Sequence, residues 1–582
     1  MYRPVLDAVS GSLALTAVAA MLPLLTLFIL LGVLRMAAWK AALISLVMSL
    51  LVAIVAYSMP VGQALLATTE GAAFGFFPIL FIVISAIWIY NMTVVTQHSD
   101  VLRRSFARIS DDQRIQAVIV AFCFGGLLEA LAGFGTPVAI TSVMLMGLGF
   151  KPIKAAVVAL LANTAPVAFG ALAVPITTLA TVTGLPEQEL ASIVGRQTPL
   201  LAVFIPMALV FVIDRWKGVR ETLPATLACG ITFAVTQFVC SNFVSPQLTD
   251  IVASLLGAAA VVLLLRVWQP AARYVEAPEV VTVASSAVDS TVGTPVLAGA
   301  RVGGAGSDST VRKTGSSGQG SGLAAQLAAR DKGQHDSRSA VVKAYAPYLI
   351  IIVVFSLAAL VTPLKDFLAS ATVKFQWPGL ELLGANGKPS KVPTFTFNWL
   401  AAGGTLLIVS GLLSIPVLGI SAAKAFKAYL ATYVQLKFAI VTVMAVLGLA
   451  YVMNSSGQTA TLGIWMAGIG SAFALLSPVL GWLGVAVTGS DTSSNSLFGA
   501  LQVTAANKAG LSPALMAAAN SSGGVLGKMV SPQNLAIAAA AVGMSGKEGD
   551  IFRKVIGWSL GLLLVMCVLV LLQSSVLAWM LP

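Results

Sequence analysis

Residues 162–175 read ANTAPVAFGALAVP and residues 519–532 read ANSSGGVLGKMVSP. Each is an asparagine, six residues, a glycine, four residues and a proline, set inside long apolar sequence. A helix carrying Asn163, Gly170 and Pro175, or Asn520, Gly527 and Pro532, cannot keep an unbroken hydrogen-bond ladder, because proline lacks an N–H and glycine holds a helix weakly. Both segments follow a similar lead-in, Gly149-Phe150-Lys151-Pro152 and Gly510-Leu511-Ser512-Pro513, although the step from that proline to the asparagine differs by four residues. The pattern predicts an internal repeat with one broken helix in each half.

The chain around these segments has 582 residues, 58% of them hydrophobic and only 10% charged, with a mean hydropathy of +0.93. Soluble domains are about a quarter charged, so this is the composition of a membrane protein with many crossings. A single-pass receptor is excluded, and so is an outer-membrane barrel, whose alternating strands never give such unbroken apolar runs. The net charge of +12 fits cytoplasmic loops facing anionic lipid rather than a nucleic-acid partner. Cys123, Cys229, Cys240 and Cys567 lie in apolar stretches at no metal-ligand spacing and read as small buried hydrophobes. No cofactor and no metal site is expected.

The apolar run 11–34 is too long for a signal peptide and reads as a true span. Further spans are expected at 41–59, 74–95, 153–181, 198–213, 223–243, 251–268, 345–362, 398–419, 436–453, 511–543 and 555–581, about twelve in all. The regions 117–147 and 462–506 are interrupted by clusters of Gly, Ser, Thr, Asp and Pro. Irregular backbone at membrane depth persists only when buried in protein or lining a wet cavity, so both read as re-entrant hairpins. Placing the N-terminus outside collects most basic residues in the cytoplasm, among them Arg103, Arg104, Arg108, Arg114, Arg215, Lys217, Arg220, Arg553 and Lys554. The polar stretch 270–340, with its Gly/Ser-rich run 298–322, then reads as a disordered cytoplasmic linker between a first half, 1–269, and a second, 341–582. In this topology the two broken helices run in opposite senses. The fold class is all-α and polytopic, two inverted repeats with broken helices and two hairpins, the architecture of secondary transporters.

An ionised group at the bilayer centre costs about 2.5 to 3.5 kcal/mol on insertion scales, so each one needs a partner or a task. Three stand out: Glu129 near the first hairpin tip, Asp491 in the polar string 488–495, and Lys528 in the second broken helix. Glu129 is a candidate proton carrier, or a structural glutamate bonded to hairpin backbone. Lys528 is a candidate partner for a substrate carboxylate, or a counter-ion for Asp491 or Glu129. Glu70, Glu187 and Glu189 read as solvated loop residues, and His98 and His335 lie away from any site.

The strings Glu129-Ala-Leu-Ala-Gly-Phe-Gly-Thr-Pro137, Asn163-Thr-Ala-Pro166, Thr488-Gly-Ser-Asp-Thr-Ser-Ser-Asn495 and Lys528-Met-Val-Ser-Pro-Gln-Asn534 resemble those of the bacterial L-lactate permease family. That resemblance implies proton symport of lactate and related short 2-hydroxy monocarboxylates such as glycolate. It implies an inner-membrane location and kinship with anion transporters built from inverted repeats with re-entrant hairpins. The run 298–322 matches no pattern of that family. The expected substrate-binding residues are Gly133, Gly135, Thr136, Asn163, Thr164, Ser490, Thr492, Asn495, Asn520, Ser521, Ser522 and Lys528, with Glu129 and Asp491 coupling the proton. The expected partners are the monocarboxylate, the proton and the lipid bilayer.

Other classes fare worse. A sodium-coupled carboxylate carrier is the alternative, since Asn, Ser and carbonyl oxygens at helix breaks also suit sodium. An anion channel is more remote. A serine hydrolase lacks a membrane histidine and a nucleophile elbow, and an ATP-driven pump lacks a phosphate loop.

Overall fold

In lipid every backbone polar group must be bonded within the protein, so apolar runs of this length fold as helices. A computed structural model of the chain describes residues 1–34, 36–107, 109–131, 135–276, 336–383, 394–544 and 547–582. Among the described residues, ten helices are long and apolar enough to cross a membrane, or eleven if the bent pair Pro152–Ala162 and Val167–Thr183 is one span. Their outward faces are apolar: Leu15, Val18 and Leu22 on Leu13–Phe28, and Leu560, Leu564 and Val568 on Glu548–Gln573, are exposed at helical spacing where lipid would lie. This is an all-α, multi-pass membrane protein.

Several spans differ from their hydropathy runs. The third begins at Val61, because the small-residue helix Val61–Phe74 continues into the run ending at Val95. The spans expected at 198–213 and 223–243 lie in one helical stretch, Glu187–Val244, interrupted where Asp214 and Arg215 leave helical geometry. The run 398–419 shortens to Gly403–Leu418. The run 511–543 divides into Pro513–Gly527, a 3-10 turn Lys528–Val530 and Pro532–Ala541, since Ser531 is extended ahead of the proline. Outside the spans, Val373–Gln376 pairs antiparallel with Thr394–Phe397, a small sheet that the all-helical expectation did not contain.

The two expected hairpin regions are each a helix pair. Gln113–Leu131, almost wholly buried, precedes Thr136–Gly147, which Gly135 enters in the left-handed conformation. Its first arm is long enough to cross the membrane, as is Gly470–Thr488 in the second pair. There Gly489, also left-handed, and Ser490, whose Oγ accepts from the Ser493 N–H, lead into Asp491–Ala509. The packing is reciprocal. Thr136–Gly147 lies on Pro152–Ala162 of its own half and on Pro532–Ala541 of the other, while Asp491–Ala509 lies on Pro513–Gly527 of its own half and on Gly170–Thr183 of the other.

Between the halves, residues 277–335 of the expected linker lie outside the described residues. Its flanks are held. Buried Arg114 donates to Asp112, Asp214, Glu221 and the Ala272 carbonyl. Gln113 Oε1 accepts from the Glu276 N–H, Glu276 pairs with Lys154, and Arg104 pairs with Asp336.

Candidate functional site

Lys528 is set by the break in the second half. Pro513–Gly527 ends at Gly527, and the 3-10 turn that follows carries the lysine inward. Its Nζ donates to Glu129 Oε1 at 2.5 Å, with side-chain exposures of 8% and 4%. Of the partners that the sequence left open for Lys528, the structure takes Glu129. A buried pair of this kind gains little net stability over apolar packing, yet removing either member leaves an uncompensated charge.

The break in the first half touches the same carboxylate. Asn163 ends Pro152–Ala162, the turn Val167–Phe169 follows, and Gly170 is extended. A methyl group added at Gly170 would stand 2.8 Å from Glu129 Oε1, so only glycine lets the backbone come this close. Ala171, Leu172 and Ala173 then form a left-handed turn. Glu129 therefore sits between both breaks, bonded to one and in contact with the backbone of the other.

Asp491 has different company. Its Oδ2 accepts from Ser521 Oγ at 2.5 Å and from Asn495 Nδ2 at 3.3 Å. Asn495 Nδ2 also donates to the Pro175 carbonyl at 3.1 Å, a contact from the second helix pair to the first broken helix. Asn520 Nδ2 donates to Asn495 Oδ1 at 2.9 Å, and Gln502 Nε2 donates to Asn520 Oδ1 at 3.1 Å. Asn495, Asn520 and Ser521 are thus engaged with one another and with Asp491.

Other expected site residues are placed as follows. Both side-chain polar atoms of buried Asn163 lack a hydrogen-bond partner among the described residues, as do Ser522 Oγ, Asp491 Oδ1 and Glu129 Oε2. Such atoms are costly unless something answers them, which makes them the best-qualified contacts for a ligand. Thr164 Oγ1 bonds back to the Leu160 carbonyl of its own helix, and Ser490 is spent as a helix cap. Thr492 is half-buried on the first turn of Asp491–Ala509. Gly135 faces Asn534 and Ile537 of the second half. Gly133 and the side chain of Thr136 lie outside the described residues.

Two buried carboxylates with no ion-pair partner among the described residues escaped the sequence reading. Glu70, expected in a solvated loop, is fully buried in Val61–Phe74, and neither of its oxygens has a partner among the described residues. Its helix packs on Ala422–Ser456 so closely that a methyl at Gly71 would meet the Leu447 carbonyl. The small residues Ala64, Ala67 and Gly71 at helical spacing were the available signal. Asp250, just ahead of an expected span, is fully buried in the first turn of Thr249–Leu264. Its Oδ1 accepts from Gln237 Nε2, which also donates to the Ala165 carbonyl at the first break. Among the described residues no cluster of His, Cys, Asp and Glu forms a metal site.

Known proteins match along the whole chain. The profile of the L-lactate permease family covers residues 16–577. An L-lactate permease of Bacillus subtilis strain 168 is 39% identical over 600 residues, covering 100% of this chain and 99% of the relative. The glycolate permease GlcA of Escherichia coli strain K12 is 40% identical over 593 residues, covering 100% and 99%. An L-lactate permease of the same Escherichia coli strain is 38% identical over 586 residues, covering 98% of each. With a family profile and full-length relatives spanning both helix breaks and both helix pairs, this chain belongs to the L-lactate permease family.

Proposed function

We propose that the protein takes up lactate, and glycolate or similar short 2-hydroxy monocarboxylates, by proton symport across a bacterial inner membrane. The observation that carries this reading is the buried Glu129–Lys528 contact between the two halves. An incoming carboxylate competes with Glu129 for the Lys528 ammonium. Once displaced, Glu129 is a buried charge without a partner, and taking a proton removes that cost. Anion and proton thereby enter as a neutral pair. The relatives named for L-lactate and glycolate support the substrate class. The unpartnered Asn163 amide and Ser522 hydroxyl suit a carboxylate and a neighbouring hydroxyl.

The same reading takes 1–269 and 341–582 as inverted repeats joined by a cytoplasmic linker, 270–340, with the two helix pairs re-entrant. A 3-10 turn between the asparagine and the proline of each segment, and the reciprocal packing of each pair on the other half's broken helix, support it.

The test is uptake into liposomes holding the purified protein. With the outside acidic and no sodium present, labelled L-lactate accumulates above its equilibrium level. Accumulation driven by an inward sodium gradient at equal pH, and not by protons, overturns the coupling. Flux that neither saturates nor runs uphill points to a channel.

A further inference from the structure

Thr249–Leu264 runs antiparallel to the first arm of the first helix pair, and its contacts step along that arm in register. A methyl at Gly257 would lie 3.8 Å from Cys123 Sγ, and one at Gly126 would meet Ser254 Oγ. One further turn along both helices brings Asp250 opposite Glu129. That register sets Asp250 in the electrostatic neighbourhood of Glu129 and of its partner Lys528. Asp250 is fully buried, its Oδ1 is held by an amide, and its Oδ2 has no partner among the described residues. Ser254 Oγ, one turn away, is also unpartnered.

The geometry points to Asp250 as a second proton-holding carboxylate of the transport site, which exchanges its proton with Glu129 while Lys528 changes partners. This rests on the reading of Glu129 as the coupling residue. Three buried carboxyls share one ammonium, since Asp491 lies against Gly524 one helical turn before Lys528, so the site is electrically neutral only when two of them are protonated. Before substrate arrives, Asp491 and Asp250 carry those protons and Glu129 is the partner of Lys528. When the substrate's carboxylate takes Lys528, the Asp250 O–H bond breaks as the Glu129 O–H bond forms. Asp250, now a carboxylate beside the Gln237 amide, takes the next proton from outside. The loaded site is again neutral, one proton per monocarboxylate.

The elements packed around Asp250 bring few other groups that titrate. The Cys240 thiol, at the end of Ile205–Val239, interacts with Asp250. Gly170–Thr183 contains no charged residue. The charges of Arg338–Leu360, Arg338 and Lys343, sit in its first two turns, at the end where Asp336 is tied to Arg104.

The experiment compares D250N, D250E and E129Q in the full-length protein in liposomes, with lactate as the probe. D250N is expected to lose at least ~10-fold more pH-driven accumulation than lactate-for-lactate exchange, while D250E, which keeps a carboxyl, regains accumulation to within ~3-fold of the parent. Accumulation by D250N equal to the parent, or a parallel loss of both activities, overturns the assignment. If D250N accumulates normally while E129Q does not, Asp250 alone is wrong; if both accumulate normally, the proton reading of Glu129 has failed too. Should D250N not fold, D250E decides: an uptake midpoint displaced by ~0.5 pH or more supports the role, and an unchanged midpoint overturns it.

Discussion

At Lys528 a buried ammonium must be answered, and in the proposed transport cycle it must also be available to a substrate. Glu129 answers it across the two halves at 2.5 Å. If Lys528 also meets the substrate, K528Q weakens lactate binding by more than ~10-fold, the loss of a desolvated charge-assisted contact of about 1.5 to 3 kcal/mol. Equilibrium binding to the purified variant checks this; unchanged binding with a lowered melting temperature makes the lysine a structural counter-ion. E129Q differs in kind, losing at least ~10-fold more pH-driven accumulation than exchange, because the amide imitates the protonated carboxyl but cannot release a proton. Glu129 and Lys528 were legible because each interrupts apolar sequence, and Asp491 because it stands in a dense polar string between apolar runs. Glu70 and Asp250 were not, because they stand just outside the hydropathy runs, on helices that begin at Val61 and Thr249. Nor does sequence tell an engaged polar group from a free one: Asn520 and Asn163 hold matching places in the two similar sequence segments, yet among the described residues one is bonded at both ends of its amide and the other at neither.

At the scale of elements, both helix breaks were legible from the shared spacing of asparagine, glycine and proline, although proline alone was not decisive, since Pro175 itself lies inside Gly170–Thr183. What the breaks look like was not. The second half turns through Lys528–Val530 and restarts at Pro532 under the Ser531 cap. The first restarts through Ala171, Leu172 and Ala173 in the left-handed region, which costs an L-residue roughly 1 to 2 kcal/mol each. A171G is therefore expected to raise the stability of the purified protein by up to ~1 kcal/mol, seen as a higher melting temperature, with part of the gain returned as glycine's extra freedom in the unfolded chain. In the second half the constraint is contact. A methyl at Gly523 would lie 2.2 Å from the Pro478 carbonyl, between two packed helices. G523A should destabilise by about 1 to 3 kcal/mol, as overpacking does, and lower the melting temperature. The sheet formed by Val373–Gln376 and Thr394–Phe397 was not legible: four-residue strands paired across a polar connection leave too short a pattern to stand out.

Over the whole molecule, the halves hold each other through the same elements that carry the proposed site. Thr136–Gly147 rests on Pro532–Ala541, Asp491–Ala509 rests on Gly170–Thr183, and Glu129 and Asn495 each bond into the other half. The flanks of the expected linker are fixed as well, by Arg114, at the start of the first helix pair, to the Ala272 carbonyl and by Arg104, in the helix before it, to Asp336. Those contacts place the two ends of the linker on one part of the protein whether or not the chain between them is continuous. In the proposed reading of 270–340 as a linker, the composition of 298–322, with few large apolar residues, suits a tether rather than an interface. A protease site inserted between Gly306 and Ser307 and cut in the purified protein should therefore leave the halves co-eluting and pH-driven lactate uptake within ~2-fold of the uncut protein, an intact interface needing no help from the effective concentration a linker provides. If the cut halves separate, the tether is what keeps the site assembled. If they stay together but uptake is lost, the segment takes part in the transport cycle itself.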